Sequence, residues 1–175
     1  EGDGAKLLGT IVHVLLEKLP KSNSNDWQNI VPNLLKWAEI YVSEETQTRA
    51  YKQAENILKN PSFEFIFASD VLAEVQFSTI VESVGGIPIV GVIDRLVLSQ
   101  DSALIIDFKT NQEVPSSIDE VPLGILKQMG AYAASMQKVF PKKNIELGII
   151  WTHSSELMKI DVNRAVSSID SIRMT

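Results

Sequence analysis

Apolar residues recur at helical spacing in the first third of the chain. From Ala5 to Leu19 they form one broad helical face, and Pro20 ends the pattern. A second helix is predicted from Asp26, a suitable N-cap residue, to about Ile40, and a third from about Ser43 to Lys59. The N-terminal segment is therefore predicted to be helical.

The middle of the chain changes to the composition of β-strands. Residues 71–83 and 87–98 are rich in β-branched side chains, and Gly85-Gly86 between them is typical of a hairpin turn. The polar turn at residues 99–102 leads into a short apolar run over residues 103–108. Three strands in series, joined by short turns, predict an antiparallel meander.

Helical spacing returns from Pro122 to Phe140, and two further strands are predicted over residues 145–152 and 157–162. A short helix is expected in the tail. The order of helices, meander, helix and strands predicts an α/β fold with a mixed sheet flanked by helices.

The length and the absence of any repeat predict a single domain over residues 1–175. Within it we expect a residual linker at 1–4, a helical segment at 5–60, a core at 70–162 and a C-terminal tail at 163–175. The Gly-rich start without methionine suggests a cut inside a linker, so we expect a fragment of a larger protein.

The amino-acid composition limits the kinds of functional site that the chain can form. The 175 residues include no cysteine, which excludes disulfides, cysteine zinc sites, iron–sulfur clusters and thiol nucleophiles. Any metal must be held by His, Asp, Glu or backbone oxygen. No apolar run is long enough for a membrane span, and the start lacks the basic region of a signal peptide, so we expect a cytoplasmic protein. A net charge of −6 argues against nucleic-acid binding over the whole surface.

Two aspartates are expected to face each other in the meander. If Leu98 pairs with Ala103 across the turn, the same antiparallel register sets Asp94 opposite Asp107. Opposed Cβ atoms lie roughly 5 Å apart, where like charges repel unless a cation lies between them. Lys109, two residues beyond Asp107, belongs to the same face.

Apolar residues flank this pair on both faces of the two strands, so we expect the strands to be buried on both sides. A divalent cation would compensate the desolvated charges. The alternative from spacing is that Asp94 forms a buried salt bridge with Arg95 or Lys109 while Asp107 caps a strand end.

Four other residues are candidates, each with a structural alternative. Glu74 lies on the first predicted strand and is equally typical of a solvent-facing edge. His13 lies just outside the apolar arc of the first helix, one turn after Gly9, which leaves room for a close approach. Gln128 and Tyr132 lie one helical turn apart and can reach the same point, although Tyr132 also fits a core aromatic.

In order along the chain, these residues resemble the RecB-family nuclease domain within the PD-(D/E)XK phosphodiesterase fold, which has a restriction-endonuclease-like core. The resemblance rests on five segments, each of them a weak signal when taken singly: Gly9-Thr-Ile-Val-His13, Glu74-Val-Gln-Phe, Gly91-Val-Ile-Asp94-Arg-Leu-Val, Ile105-Ile-Asp107-Phe-Lys109-Thr-Asn and Gln128-Met-Gly-Ala-Tyr132.

The resemblance implies a role for each matched residue. His13, Asp94, Asp107 and the backbone carbonyl of Phe108 would ligate Mg²⁺ or Mn²⁺. Lys109 would orient or polarise the attacking water, and Glu74 would help orient the metal-site groups. Gln128 and Tyr132 would hold the DNA backbone near the scissile bond.

The resemblance is greatest to the C-terminal nuclease domain of AddA-type helicase-nucleases. It implies an exonuclease that processes double-strand break ends for recombinational repair, with single-stranded DNA ends as substrate. The implied partners are helicase domains of the same parent chain, which would use ATP, and an AddB-like subunit. The absence of cysteine excludes the iron–sulfur branch. Two alternatives stay open: a nuclease-like structural or DNA-guiding module that does not cut, and a stand-alone nuclease of the same fold.

Overall fold

The computed structural model describes residues 2–81 and 86–170. Its five α-helices and five β-strands are, in chain order, α1 (Asp3–Lys18), α2 (Trp27–Trp37), α3 (Glu44–Leu58), β1 (Leu72–Val81), β2 (Ile87–Leu98), β3 (Ser102–Lys109), α4 (Leu123–Val139), β4 (Asn144–Trp151), β5 (Glu156–Ile160) and α5 (Val162–Asp170). The predicted α/β class with a mixed sheet flanked by helices is confirmed. No helix in the described ranges has both the length and the apolar character needed to cross a membrane.

Most predicted helices and strands lie within three residues of their observed bounds. Asp26 occupies the N-cap position of α2, but its side chain makes no capping hydrogen bond in the described part of the chain, and α2 ends at Trp37. A 3-10 segment, Pro61–Ile66, was not predicted. The predicted turn residue Gly85 and the tail at 171–175 lie outside the described residues, whereas Gly86 has the left-handed φ of 72° expected of a turn glycine.

Contacts divide the chain into two compact units. The first consists of Glu1–Ser69, Phe108–Val114 and Trp151–Glu156. Its core is apolar and comes mainly from α1, α2 and α3, with Leu8, Ile11, Val12, Leu15, Leu16, Val31, Leu35, Ala50, Ala54 and Ile57 buried. Phe67 stacks on Phe108, with ring centroids 6.1 Å apart.

The second unit consists of Asp70–Asp107, Pro115–Ile150 and Leu157–Thr175. It contains nearly all of a five-stranded sheet of order β1-β2-β3-β4-β5. β1 pairs antiparallel with β2, and β2 pairs antiparallel with β3. The predicted meander is therefore confirmed for its described residues.

The turn between β2 and β3 is held from outside the hairpin. The ammonium group of Lys143 donates to the carbonyl oxygens of Ser99 and Gln100, at 2.5 and 2.9 Å. The backbone N–H of Asn144 donates to the carbonyl of Asp101 at 2.8 Å. Because every carbonyl from Ser99 to Asp101 has a donor, the turn has a fixed conformation, and with it the β2–β3 register.

The prediction that β2 is buried on both sides is wrong at two positions. Val92 is 38% exposed and Leu98 is 39% exposed, whereas Ile93 and Leu96 are buried. Val92 lies toward the open end of the β1–β2 ribbon, where one face has no covering element among the described residues.

Helix α4 packs closely against both the sheet and α5. The ring of Tyr132 meets the ring of Phe77 on β1 edge to face, with centroids 5.7 Å apart. At Gly130 an added Cβ would overlap the backbone carbonyl of Ala165 on α5. Gly130 is therefore required by close helix contact rather than by its backbone conformation.

We predict that Gly130→Ala lowers the free energy of unfolding by about 1–3 kcal/mol, because α5 must move to admit the methyl group. Gly124→Ala is the matched control, since its Cβ would meet nothing within 4 Å on the same helix. The control should be neutral or stabilising by up to about 1 kcal/mol. Urea unfolding followed by circular dichroism measures both, and equal effects would contradict the proposed packing role.

Candidate metal and catalytic site

The second unit brings two acidic residues of neighbouring strands together. Carboxylate oxygens of Glu74 on β1 and Asp94 on β2 lie within 4.8 Å of each other. The β1–β2 register explains this, because the pairs Ala73↔Arg95 and Val75↔Ile93 bracket the position where Glu74 faces Asp94. Two carboxylates at this separation repel each other strongly unless a cation or proton lies between them.

The β2–β3 register extends the acidic row to a third strand. The pairs run from Leu98↔Ala103 to Arg95↔Ile106, as predicted. Asp94 and Asp107 each follow one residue beyond the last pair in this register, and Asp107 is only 2% exposed. Glu74, Asp94 and Asp107 thus lie on three successive strands, β1, β2 and β3, and we call these three residues the carboxylate row.

Glu74 has an unusual backbone for a strand residue. Its φ is 52°, in the left-handed region, although the residues on both sides keep one pairing register with β2. Such a conformation in a residue other than glycine costs on the order of 1–3 kcal/mol, and such strain is concentrated at functional sites. The strain at Glu74 therefore marks this position as a candidate for function.

Tyr132 and Gln128 on α4 are adjacent to the carboxylate row. Gln128 Nε2 donates to the hydroxyl of Tyr132 at 2.7 Å and, at 3.4 Å, to Oδ1 of Asp107. The Tyr132 hydroxyl donates to the carbonyl oxygen of Val92 at 2.8 Å. Tyr132 thereby joins α4 to β2 two residues before Asp94.

The pKa of Tyr132 is raised by burial and by the negative charges around it. Burial raises this pKa well above its ordinary value, the charge of Asp107 raises it further, and Asp94 and Glu74 add smaller increases. The hydrogen bond from Gln128 acts in the opposite direction. All three members of the carboxylate row therefore lie close enough to act on one hydroxyl group, which stays protonated at neutral pH.

The first unit contains the other three predicted site residues. His13 Nε2 lies 3.1 Å from the carbonyl oxygen of Phe108, a hydrogen bond in the tautomer that protonates Nε2. Two ligands of one octahedral Mg²⁺, each about 2.1 Å from the ion, lie about 3 Å apart when they are adjacent. The separation of these two predicted ligand atoms therefore fits one ion.

The close approach of α1 to this segment depends on Gly9. A Cβ at Gly9 would lie 2.9 Å from the Oγ1 atom of Thr110. The room predicted beside His13 is thus filled by the chain that follows β3. Lys109 is half-buried, and its carbonyl oxygen accepts from the backbone N–H of Thr152 at 2.9 Å.

The family was identified by comparison with known proteins. A model of the PD-(D/E)XK nuclease superfamily matches residues 1–167. The chain belongs to the PD-(D/E)XK nuclease superfamily. Membership in this superfamily implies nuclease activity.

Two other comparisons add less to the PD-(D/E)XK assignment. No curated protein matches the chain. A solved structure titled "Crystal structure of SSO0001" is 13% identical, with a TM-score of 0.40, and the overlap covers 100% of this chain and 89% of the other. A TM-score at this level gives no information about the function of this chain.

Sequence reasoning missed two features of this PD-(D/E)XK chain. The first is the left-handed conformation of Glu74, for which the sequence has no glycine or asparagine as a signal. The second is the carbonyl of Val92 as the acceptor for Tyr132. A backbone acceptor is invisible to a search for functional side chains, because every residue carries one.

We predict that Tyr132→Phe lowers the free energy of unfolding by about 1 kcal/mol, because Gln128 loses an acceptor and Val92 loses a donor. The matched control is Tyr41→Phe, at a side chain that is 79% exposed, and it should leave stability unchanged. Urea unfolding of both variants measures the difference. A Tyr132→Phe variant as stable as the original chain would show that these hydrogen bonds contribute nothing net.

Proposed function

We propose that the chain is the metal-dependent DNA exonuclease domain of a bacterial helicase-nuclease of the AddAB/RecBCD type, acting in the cytoplasm on double-strand break ends. The observation that carries the nuclease part is the carboxylate row of Glu74, Asp94 and Asp107 on three adjacent strands. The AddA-like context rests on the sequence resemblance, including the absence of cysteine.

The donor atoms fit a hard divalent cation. Carboxylate and carbonyl oxygens suit Mg²⁺, and an imidazole nitrogen also admits Mn²⁺. In the proposal, Asp94, Asp107, His13 and the carbonyl oxygen of Phe108 hold the ion. When bound, such an ion neutralises charge on the phosphate and favours in-line hydrolysis.

The remaining residues act on substrate and solvent. The Lys109 ammonium is proposed to orient the attacking water and to stabilise the charge that develops on the phosphate. Glu74 is proposed to help orient the groups of the site, because its carboxylate lies within 4.8 Å of the carboxylate of Asp94. Gln128 is proposed to contact the DNA backbone, with Tyr132 as its support, because the Tyr132 hydroxyl accepts from Gln128 and donates to Val92.

The charge of the chain bears on its partners. Binding to a polyanion comes mainly from Lys and Arg contacts to phosphates, and this chain has 16 such residues against 22 acidic ones. We therefore propose that DNA is delivered by helicase domains of the same parent chain, with an AddB-like subunit as partner. The isolated chain should bind DNA weakly.

We predict that Asp94→Asn weakens Mn²⁺ binding at least about tenfold, because removal of even an outer-shell partner costs that much at many metal sites. Asp101→Asn, at an exposed turn position, is the control and should bind Mn²⁺ like the original chain. Isothermal titration calorimetry measures both. If the original chain bound no Mn²⁺ and cut no single-stranded DNA, the nuclease-like structural module would be favoured.

We predict that Asp107→Asn and Lys109→Ala each lower the rate of single-stranded oligonucleotide cleavage by about 10²–10³-fold, because the first removes a proposed metal ligand and the second removes the ammonium that stabilises charge on the reacting phosphate. Asp101→Asn and Lys142→Ala remove the same kinds of charge at exposed positions and should cleave normally. Far-ultraviolet circular dichroism confirms that the variants fold. Continued cleavage by both site variants would contradict the assigned catalytic roles.

A further inference from the structure

One face of the β1–β2 ribbon is exposed from Gln76 to Ile80 on β1 and from Pro88 to Val92 on β2. The face consists of six residues from the two strands, which we call the ribbon face: Gln76, Ser78, Ile80, Pro88, Val90 and Val92. They form three cross-strand pairs, and Val90 is 76% exposed. Exposed apolar residues in a contiguous group on a soluble domain commonly mark a binding surface.

The opposite face of the same ribbon is packed under α4. Phe77 contacts the ring of Tyr132, and Thr79 donates to the hydroxyl of Ser135 at 3.5 Å. An added Cβ at Gly91 would lie 3.1 Å from Cε1 of Tyr132, so the sheet and α4 are in close contact. The ribbon is thus held from one side, and the ribbon face is free to receive a partner.

The ribbon face is continuous with the carboxylate row. Gln76 and Val92 pair with each other, and each is two residues along its strand from Glu74 or Asp94. Residues two apart on a strand lie on the same side and about 7 Å apart. A molecule bound over the ribbon face therefore reaches the carboxylates without crossing another element of the second unit.

The chemistry of the ribbon face differs between its two strands. β2 contributes three apolar residues, whereas β1 contributes the amide of Gln76 and the hydroxyl of Ser78 ahead of Ile80. None of the six carries a charge, so the ribbon face adds no further repulsion toward a phosphate beside the acidic row. Gln and Ser side chains donate to phosphate oxygens, and apolar side chains contact sugars and base faces.

We propose that the ribbon face binds the stretch of single-stranded DNA next to the phosphodiester that is cut, with phosphates along β1 and sugars and bases along β2. The inference rests on the proposed nuclease function and extends it to the path of the substrate. A second copy of the chain adding a strand would use the open edge of β1 rather than this face.

A negative or a positive charge introduced at Val90 tests whether DNA passes over the ribbon face. Val90 lies four residues from Asp94, roughly 14 Å along an extended strand, which is beyond the screening length of about 8–10 Å at physiological salt. Val90→Asp should raise the KM for a single-stranded oligonucleotide at least about tenfold, and Val90→Lys should lower it. The Mn²⁺ dissociation constant should stay within about twofold, because the added charge is screened from the carboxylates.

Two controls make the result specific. Leu98 is 39% exposed at the far end of β2, eight residues from Val90 and, like Val90, four residues from Asp94, so Leu98→Asp and Leu98→Lys change the net charge identically away from the ribbon face. Hydrolysis of bis(p-nitrophenyl) phosphate reports the chemistry without a DNA strand long enough to reach Val90. We expect the Leu98 variants to alter the KM less than about twofold, and both Val90 variants to hydrolyse the small diester normally.

Four results would overturn the inference. An unchanged KM in both Val90 variants, with the original chain active, would remove the ribbon face from the DNA path while leaving the nuclease function in place. Equal shifts in the Leu98 variants would reduce the effect to net charge. Dissociation of a dimer by Val90→Asp in sedimentation velocity, with normal cleavage, would assign the face to a second copy. An original chain that cleaves neither substrate would overturn the proposed function and this inference together.

Discussion

Repulsion between carboxylates on adjacent strands is the constraint around which the second unit is organised. Two unit charges about 5 Å apart, at an effective dielectric constant of about 20, repel by roughly 3 kcal/mol. Glu74 and Asp94 are held within 4.8 Å of each other although no helix terminus or turn requires it. A divalent cation bound beside such a pair would offset this repulsion.

The surroundings of the row keep these groups in place. Tyr132 spans from α4 to the backbone of β2, and Gln128 spans from the same helix to Asp107. Gly91 and Gly130 permit the close packing that brings α4 to this position, one against the sheet and one against α5. The position of α4 therefore depends on these two glycines. Its polar contacts to the row and to β2 come from Gln128 and Tyr132, which lie one helical turn apart.

Some of these features could be predicted from the sequence and others could not, for physical reasons. The β2–β3 register from Leu98↔Ala103 to Arg95↔Ile106 followed from the length of the Ser99–Ser102 turn, because a short turn leaves a single antiparallel register. Gly9 was predictable as a point of close approach, but its neighbour, Thr110, is distant in sequence. The exposure of Val92 was not predictable, since an apolar strand residue is equally compatible with a core and with a binding surface. The left-handed backbone of Glu74 has no local sequence signal at all.

The bonds that Lys143 makes to the β2–β3 turn have a consequence for how this chain can vary. Side chains on a strand alternate between faces, so the loss or gain of one residue in the turn would carry Asp107 and Lys109 to the opposite side of the sheet together. The three carbonyls bound by Lys143 and Asn144 lie far along the hairpin from the carboxylate row. By fixing the turn, these bonds also fix which side chains of β3 lie on which face of the sheet. Turn length, usually the most freely varied property of a surface hairpin, should be among the least tolerant in this one.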